Sequence, residues 1–250
     1  MRIWAVALLL ASLASAQTAP VGDREVSWKQ MLPNLLEDQQ RIWTFPARLA
    51  QGHDWIPTVA FAGTTAGLIA GADPPLDHYF RNATSFGGFN RIFTSNATAI
   101  GTALVPASLY GVGLLRNDEK MKSTALFATE SVVDAEILAT VLKKATDRLR
   151  PADLPPSSRF GDTWSEAGNR WTTNRGSFPS GHTIAAFSIA TVIARRYGDH
   201  RWVPFVAYGL AGAVGFSRLT LSAHSASDVF AGAALGFSIS QFVVLRKHSR

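Results

Sequence analysis

The sequence predicts an all-α protein, a bundle of about six core helices with its functional site at one end. Six apolar stretches lack the sustained apolar–polar alternation that indicates half-buried strands, and they are rich in Ala, Leu and Val. Pro, Gly and Asp are concentrated in the segments between them, as expected of loops, for example at Asp73-Pro74-Pro75 and Gly87-Gly88. The stretches are 56–72, 98–115, 124–142, 183–194, 203–216 and 228–245.

The composition excludes several classes of protein. The chain has 250 residues, 24 Lys and Arg against 18 Asp and Glu, and no cysteine. Without cysteine it cannot hold a disulfide scaffold, a thiolate zinc site, an iron–sulfur cluster or a cysteine nucleophile. Charged residues make up 17%, against about 25% in ordinary soluble domains, which indicates a large buried fraction or contact with lipid. The net charge of +6 favours an anionic partner.

Residues 1–16 have the pattern of a secretory signal peptide. A basic start at Arg2 precedes the apolar run Ile3–Leu13, and the small residues Ala14-Ser15-Ala16 precede a polar segment. Eleven apolar residues are too few to cross about 30 Å of hydrocarbon at about 1.5 Å per residue. We therefore expect cleavage after Ala16 and export, and a bacterial periplasm suits a chain without cysteine.

Residues 17–55 are predicted to form a polar segment followed by an amphipathic arm. Apolar residues in the arm recur at helical spacing, with breaks expected at Pro33 and Pro46. The arm either lies on a membrane surface or packs against the core. We prefer packing against the core, because Glu37 and Asp38 interrupt its basic polar face.

The helical domain 56–250 carries its chemistry in three clusters between 143 and 228. In the first, Lys143 and Arg150 are two helical turns apart and are expected to project from nearly one face of the third helix, which should end before Pro151. Two such cations repel each other unless an anion lies between them. Taken alone, charges at a helix end also fit simple dipole complementarity and solvation.

The second cluster is the start of the fourth apolar helix, Pro179-Ser180-Gly181-His182. Ser180 is a natural N-cap, and the free N–H groups of the first turn favour an anion. Gly181 lets the backbone approach a ligand closely, and His182 stands where the helix dipole disfavours its charged form. A capped helix with an incidental histidine explains this tetrapeptide equally well.

The third cluster pairs His224 with Asp228, four residues apart at the start of the last apolar helix. A carboxylate on one ring nitrogen leaves the other nitrogen free as a nucleophile or base, although such a pair could also bind a metal. Arg218, together with Lys143 and Arg150, would repel a divalent cation and attract a tetrahedral oxyanion. If successive apolar helices run antiparallel, the helix ends that carry all three clusters meet on one face of the bundle.

These three motifs, in this order, resemble those of the superfamily of type 2 phosphatidic acid phosphatases, bacterial non-specific acid phosphatases and vanadium haloperoxidases. The resemblance implies an acid phosphatase/haloperoxidase-like bundle and a phosphatase that needs no metal or other cofactor, with vanadate acting at most as a phosphate mimic. The catalytic residues it implies are His224 as nucleophile, His182 as general acid and base, and Asp228 orienting His224. The phosphate-binding residues it implies are Lys143, Arg150, Ser180, Gly181 and Arg218.

The leading hypothesis is therefore hydrolysis of a phosphate monoester or pyrophosphate, of a lipid or an envelope precursor, through a phosphohistidine. Two alternatives are a vanadate-dependent haloperoxidase and a non-catalytic phospholipid-binding membrane protein. The expected partner is a phosphorylated lipid or small-molecule substrate. We expect neither a nucleic acid nor an obligate protein partner.

Lipid around the helices is favoured but not required by the sequence. Glu130, Asp134 and Glu136 in the third stretch would be costly in lipid unless they face the bundle interior. A cleaved signal followed by three spans would place the site in the cytoplasm, whereas the distribution of Lys and Arg among the loops predicts a periplasmic site. We expect an exported enzyme of the bacterial envelope, associated with the inner membrane rather than freely soluble, with its site facing the periplasm.

Overall fold

The computed structural model describes residues 24–155, 163–164 and 176–246, so the expected signal peptide 1–16 lies outside the described residues. Within the described ranges the chain forms nine α-helices and no strand, as the sequence predicted for the fold class. A 3₁₀ turn (Pro151–Asp153) follows α6, and a π-helical turn (Ser240–Val244) continues α9. The helices are α1 (Met31–Ala50), α2 (Trp55–Gly71), α3 (Asp73–Asn82), α4 (Gly87–Ile92), α5 (Ser95–Arg116), α6 (Glu119–Thr146), α7 (Gly181–Arg196), α8 (Trp202–Thr220) and α9 (Ala226–Ile239).

The six predicted core helices are present as α2 and α5 to α9. Two short helices, α3 and α4, stand where the sequence indicated loops at Asp73-Pro74-Pro75 and Gly87-Gly88. Pro in the first helical positions lacks only an N–H that would have no helical partner there, so Pro74 and Pro75 start α3 instead of breaking it.

The predicted breaks in α1 were wrong, because the helix is continuous over its 20 residues. Pro33 lies in the first turn, where backbone N–H groups have no intrahelical acceptor and a missing donor costs nothing. Pro46 does lie inside the helix, which nevertheless continues to Ala50 and ends with the Gln51 N–H bonded to the carbonyl of Ala47.

Polar residues hold α1 against α6. Asn34 Nδ2 donates a hydrogen bond to Glu130 Oε1 (2.9 Å), and Gln39 Nε2 donates to Asp134 Oδ1 (2.9 Å). Two of the carboxylates in the third apolar stretch thus face α1 and have polar partners, which reduces the cost of burying them. Several large apolar side chains of this arm are nevertheless exposed: Trp28, Leu32, Leu36 and Trp43.

The centre of the bundle is α7, which packs against α6, α8 and α9. Two glycines one helical turn apart bring α9 close to the backbone of α7. A Cβ atom at Gly232 would lie 2.7 Å from the carbonyl oxygen of Ser180, and one at Gly236 would lie 2.5 Å from that of Ile184. This close crossing places the first turn of α9 beside the first turn of α7.

The outer surface of the bundle is strongly apolar. Ile56 and Leu115 are each 86% exposed, and Phe205 is 80% exposed. By length and composition, two of the described segments could cross a membrane, namely α5 and Ala226–Val244. The pair α2 and α3, bent by 55°, could form a third. This surface indicates association with a membrane.

Candidate active site

Four helix ends converge on one face of the bundle. The backbone N–H of Ser180, just before α7, donates to the carbonyl of Asp228 in α9 (3.0 Å). Lys143, in the last turn of α6, extends to the same place, since a Cβ atom at Gly181 would lie 2.8 Å from Lys143 Nζ. The end of α8 joins this face through the loop that leads to His224.

His224 is positioned by the tight turn between α8 and α9. Its backbone N–H donates to the carbonyl of Arg218 (3.2 Å), and Ser222 adopts a left-handed conformation (φ 51°) that reverses the chain. The imidazole is 5% exposed, and its Nδ1 lies 3.5 Å from Asp228 Oδ2. Because Nδ1 faces the carboxylate, Nε2 is the ring nitrogen available for reaction.

The surroundings of His224 keep its imidazole neutral near pH 7. Burial lowers its pKa, and the charges of Arg150 and Lys143 lower it further. Asp228 acts in the opposite direction, because its carboxylate favours the charged imidazolium. A neutral, oriented imidazole is the form that can act as a nucleophile.

His182, in the first turn of α7, lies on the other side of the site. Its Nε2 is 3.1 Å from the carbonyl oxygen of Ser95, at the start of α5. Burial, followed by the charge of Arg218, lowers the pKa of His182 to about 4. In the free protein this imidazole is therefore neutral at pH 7, with Nε2 as the protonated nitrogen that donates to Ser95.

Arg148, for which no role was predicted, is fully buried next to Asp228. Its Nη1 donates to Asp228 Oδ1 (2.6 Å), its Nη2 donates to Asp73 Oδ2 (2.8 Å) and its Nε donates to Thr163 Oγ1 (3.0 Å). The guanidinium also stacks on the ring of Trp164, 4.6 Å from the centroid. Arg148 therefore links Asp228, the partner of His224, to a second buried carboxylate.

Two carboxylates of α3 complete this support and were also missed. Asp73 Oδ1 accepts from the backbone N–H of Ser227 (2.9 Å), and Asp77 Oδ2 accepts from the hydroxyl of Ser225 (2.7 Å). Both bonds hold the first turn of α9, in which Asp228 lies. In the sequence they appear only as two aspartates four residues apart, on either side of two prolines, in a region where no motif was predicted.

Arg218, one of the predicted phosphate ligands, is buried and bonded to the start of α5. Its Nη1 donates to Ser95 Oγ (3.1 Å), and its Nη2 donates to the carbonyl of Phe93 (2.6 Å) and to Thr98 Oγ1 (3.1 Å). The guanidinium thus lies beside His182, and its charge is among those that lower the pKa of that histidine.

The predicted geometry of the first cluster was wrong in one respect. The helix α6 ends at Thr146, and Asp147 takes a left-handed conformation (φ 45°), so Lys143 and Arg150 do not share a helix face. Arg150 has an extended backbone before Pro151, as a residue preceding proline prefers, and its side chain is exposed. Both cations nevertheless lie near enough to His224 to lower its pKa.

Ser180 occupies the N-cap position of α7, but its hydroxyl does not cap the helix. It instead accepts a hydrogen bond from the hydroxyl of Thr183 (2.9 Å). The N–H groups of the first turn are therefore not bonded by this side chain, and they point outward beside Lys143 and Gly181. This arrangement can bind an anion.

The convergent groups suit a tetrahedral oxyanion. Lys143, Arg150 and the N-terminus of α7 lie near the buried imidazole of His224, and Arg218 lies beside the second histidine, His182. In the part of the chain that the structure describes, no group of three or more acidic or histidine side chains is placed to hold a metal ion.

Comparison with known proteins places these motifs in a family. The model of the PAP2 superfamily matches residues 124–250. The chain is 40% identical over 70 residues to a lipid A 1-phosphatase of Porphyromonas gingivalis, covering 28% of this chain and 16% of that protein. It is 34% identical over 130 residues to the bacitracin transport permease protein BcrC of Bacillus licheniformis, covering 52% and 58%.

The chain therefore spans less than two thirds of the length of either of these curated relatives. Among solved structures, a transmembrane PAP2 type phosphatidylglycerolphosphate phosphatase from Bacillus subtilis is similar, with 20% sequence identity and a TM-score of 0.43. The similar region covers 83% of this chain and 94% of that one.

Proposed function

Because this chain belongs to the PAP2 superfamily, we propose that it is a phosphatase acting on a phosphate monoester or pyrophosphate of a lipid or another envelope compound. The observation that carries the proposal is the neutral, buried imidazole of His224, which faces Asp228 and lies near the cations Lys143 and Arg150. The name of one similar protein, a lipid A 1-phosphatase, is consistent with a phosphorylated lipid.

In the proposed first step, Nε2 of His224 attacks phosphorus while the bond to the leaving oxygen breaks. His182 gives a proton to that oxygen, and the alcohol or phosphate departs, which leaves a phosphohistidine. Asp228 stabilises the positive charge that develops on the His224 imidazole. In the second step, water gives its proton to His182 and attacks phosphorus, the N–P bond breaks, and inorganic phosphate leaves.

The proposed phosphate site consists of Lys143, Arg150, Arg218 and the first turn of α7 at Ser180 and Gly181. Phosphoryl transfer mainly requires positioned charge around the non-bridging oxygens, which these groups supply. Arg218 is bonded to the start of α5, so phosphate would replace at least one of these bonds.

A bound phosphate dianion also prepares His182 for its role. The charge of Arg218 helps to lower the pKa of His182 to about 4 in the free protein. A dianion between the two residues offsets that positive charge and raises the pKa, so that the imidazole can carry the proton it donates.

Phosphate release in the presence of EDTA tests the proposal. The purified chain in detergent would be given a panel of lipid phosphates, isoprenyl pyrophosphates and water-soluble phosphate esters. We expect release from at least one class, with a rate unchanged by EDTA, because the mechanism uses only side chains and water. Loss of activity on chelation, restored by a divalent metal, would contradict it.

The same assay tests the proposed orientation in the envelope. Intact cells that express the protein would be given a water-soluble ester that does not cross the inner membrane. Release by intact cells at the rate seen after lysis supports a site facing the periplasm. Release that appears only after lysis would place the site in the cytoplasm.

The pH dependence of kcat/KM tests the protonation state assigned to His224. Burial and nearby cations lower its pKa below the ordinary value of 6.5, so the imidazole stays neutral until the pH falls below that value. After correction for ionisation of the substrate and of His182, we expect protonation of His224 to reduce kcat/KM only at pH values below 6.5. A fall in kcat/KM centred above pH 6.5 would show that the pKa of His224 is raised, and would contradict the assignment.

A further inference from the structure

The arm α1 has a buried face and an exposed apolar face that point in different directions. Asn34 and Asp38 lie on the face that packs against the bundle, and both are buried. On a helix with about 3.6 residues per turn, Leu32, Leu36 and Trp43 lie within an arc of about 40°. These three side chains are between 47% and 65% exposed, so no other part of the described chain covers this apolar face.

A third face of α1 is polar. Glu37, Arg41, Thr44 and Arg48 lie within an arc of about 60°, centred about 130° from the apolar arc. Thr44 and Arg48 are exposed, and Glu37 and Arg41 are half-buried and form an ion pair (2.9 Å). A helix whose exposed surface is divided into an apolar and a polar strip is typical of the boundary between lipid and water.

The start of the arm contacts α5 far from the active site. Trp28, just before α1, donates from Nε1 to the hydroxyl of Tyr110 (2.7 Å), and the two rings pack edge to face. Along α5, Tyr110 is 15 residues after Ser95, whose carbonyl faces His182, and this separation corresponds to about 22 Å of helix. The arm therefore begins at the end of the bundle opposite to the active site.

The last helix gives the same position for the arm. Nη2 of Arg246, just after α9 and its π-helical turn, donates to Glu37 Oε1 (3.0 Å). The segment Ala226–Val244 begins at the active site, and its 19 residues correspond to about 28 Å of helix. A hydrocarbon core is about 30 Å thick, so the arm and the site are separated by roughly one membrane thickness along the bundle.

The second half of α1 leaves the bundle on the side of the apolar outer surface. All residues from 43 to 48 are exposed. After a link of four residues the apolar surface continues at the start of α2, where Trp55 and Ile56 are 52% and 86% exposed. The apolar face of the arm thus leads directly into the surface that indicates association with a membrane.

We propose that α1 is an interfacial helix, which lies in the membrane leaflet opposite to the active site. Leu32, Leu36 and Trp43 contact the acyl chains, and the polar face contacts headgroups and water. The inference goes beyond the proposed function and does not depend on it. Packing against the core and lying on a membrane, the two arrangements considered for the arm, then use different faces of one helix.

The proposed position gives the polar contact between α1 and α6 a role. Glu130 and Asp134 accept hydrogen bonds from side chains of α1, so the arm lies over the side of α6 that carries these carboxylates. An uncovered carboxylate at this depth would contact acyl chains at a high cost in free energy. The interfacial helix therefore separates the acidic part of α6 from lipid.

Fluorescence quenching at single introduced cysteines tests the apolar face. The chain has no cysteine of its own, so one label reports one position. Leu32→Cys places a bimane label on the apolar face. The matched control is Thr44→Cys, which is also exposed and lies about 120° away on the same helix. Each protein would be reconstituted in vesicles of phosphatidylethanolamine and phosphatidylglycerol, with or without bromine on the acyl chains.

We expect brominated lipid to quench the label at position 32 and aqueous iodide to quench the label at position 44. Equal quenching by iodide at both positions would show that the apolar face lies in water. A label at position 32 that neither quencher reaches would show that a protein, such as a second copy of the chain, covers the face. Either result would overturn the proposal.

An impermeant maleimide tests the side of the membrane. Thr84→Cys serves as the reference for the active-site end, because Thr84 is exposed in the link between α3 and α4. In cells that express each variant, we expect one of Thr84→Cys and Thr44→Cys to react before lysis and the other only after it. Reaction of both from the same side would overturn the proposed position. Phosphate release is not measured, so failure of the proposed function would leave this result intact.

Discussion

Replacement of His224 by alanine should reduce phosphate release by about 10⁴-fold or more, the scale of loss when a catalytic nucleophile is removed. The proposed pathway has no covalent intermediate without Nε2 of this residue, and the remaining cations can only bind phosphate. The variant should still fold, because alanine leaves neither a buried charge nor a buried polar group unpaired at this position. The matched control is His200→Ala, an exposed histidine between α7 and α8, which should keep full activity.

Trapping the proposed phosphohistidine provides a second test of the role assigned to His224. A substrate with labelled phosphate, quenched during turnover, should leave label on the natural protein in a form stable to base and labile to acid, as a phosphohistidine is. Mass spectrometry should place the label on His224, and His224→Ala should carry none. Retention of a substantial turnover rate by His224→Ala, or label on another residue, would show that the nucleophile is wrongly assigned.

The substitution Arg148→Met should destabilise the fold by about 3–5 kcal/mol, the usual cost of removing one partner from a buried ion pair. Arg148 is 1% exposed and pairs with both Asp73 and Asp228, so methionine fills much of its volume but leaves two buried carboxylates without their cation. Thermal or denaturant unfolding in detergent measures the loss. Activity should fall as well, because Asp228 loses the bond that fixes it beside His224.

Two further variants make this result specific to the buried network. Arg116→Met, at an exposed position at the end of α5, should change the free energy of unfolding by less than about 0.5 kcal/mol. Adding Asp73→Asn to Arg148→Met should restore part of the loss, because one of the two stranded charges is removed. Equal stability of Arg148→Met and the natural protein would show that the network does not support the fold.

Local spacing was sufficient to predict the six core helices and the position of the three motifs at helix ends. Apolar stretches of helical length predicted the six core helices, because a helix inside a bundle needs apolar residues on most of its faces. His224 and Asp228 are four residues apart, so any helix that begins there brings their side chains together. The convergence of the three motifs followed from the alternation of helix direction.

Contacts over long sequence separations could not be predicted in this way. Arg148 and Asp73 are 75 residues apart, and the sequence around each shows only a charge near a proline. In isolation, a charge near a helix end is most simply explained by solvation. Their pairing exists because α3 packs against the first turn of α9, which is a property of the folded bundle.

The sequence by itself determined the all-α class, the positions of the core helices and the residues expected to carry the chemistry. Only the tertiary structure decided where α6 ends, how Arg148 and α3 support Asp228, and which bonds hold Arg218 against the start of α5. The physical reason is that helix periodicity and short spacings depend on neighbours along the chain. Burial and ion pairing depend on which helices meet in space.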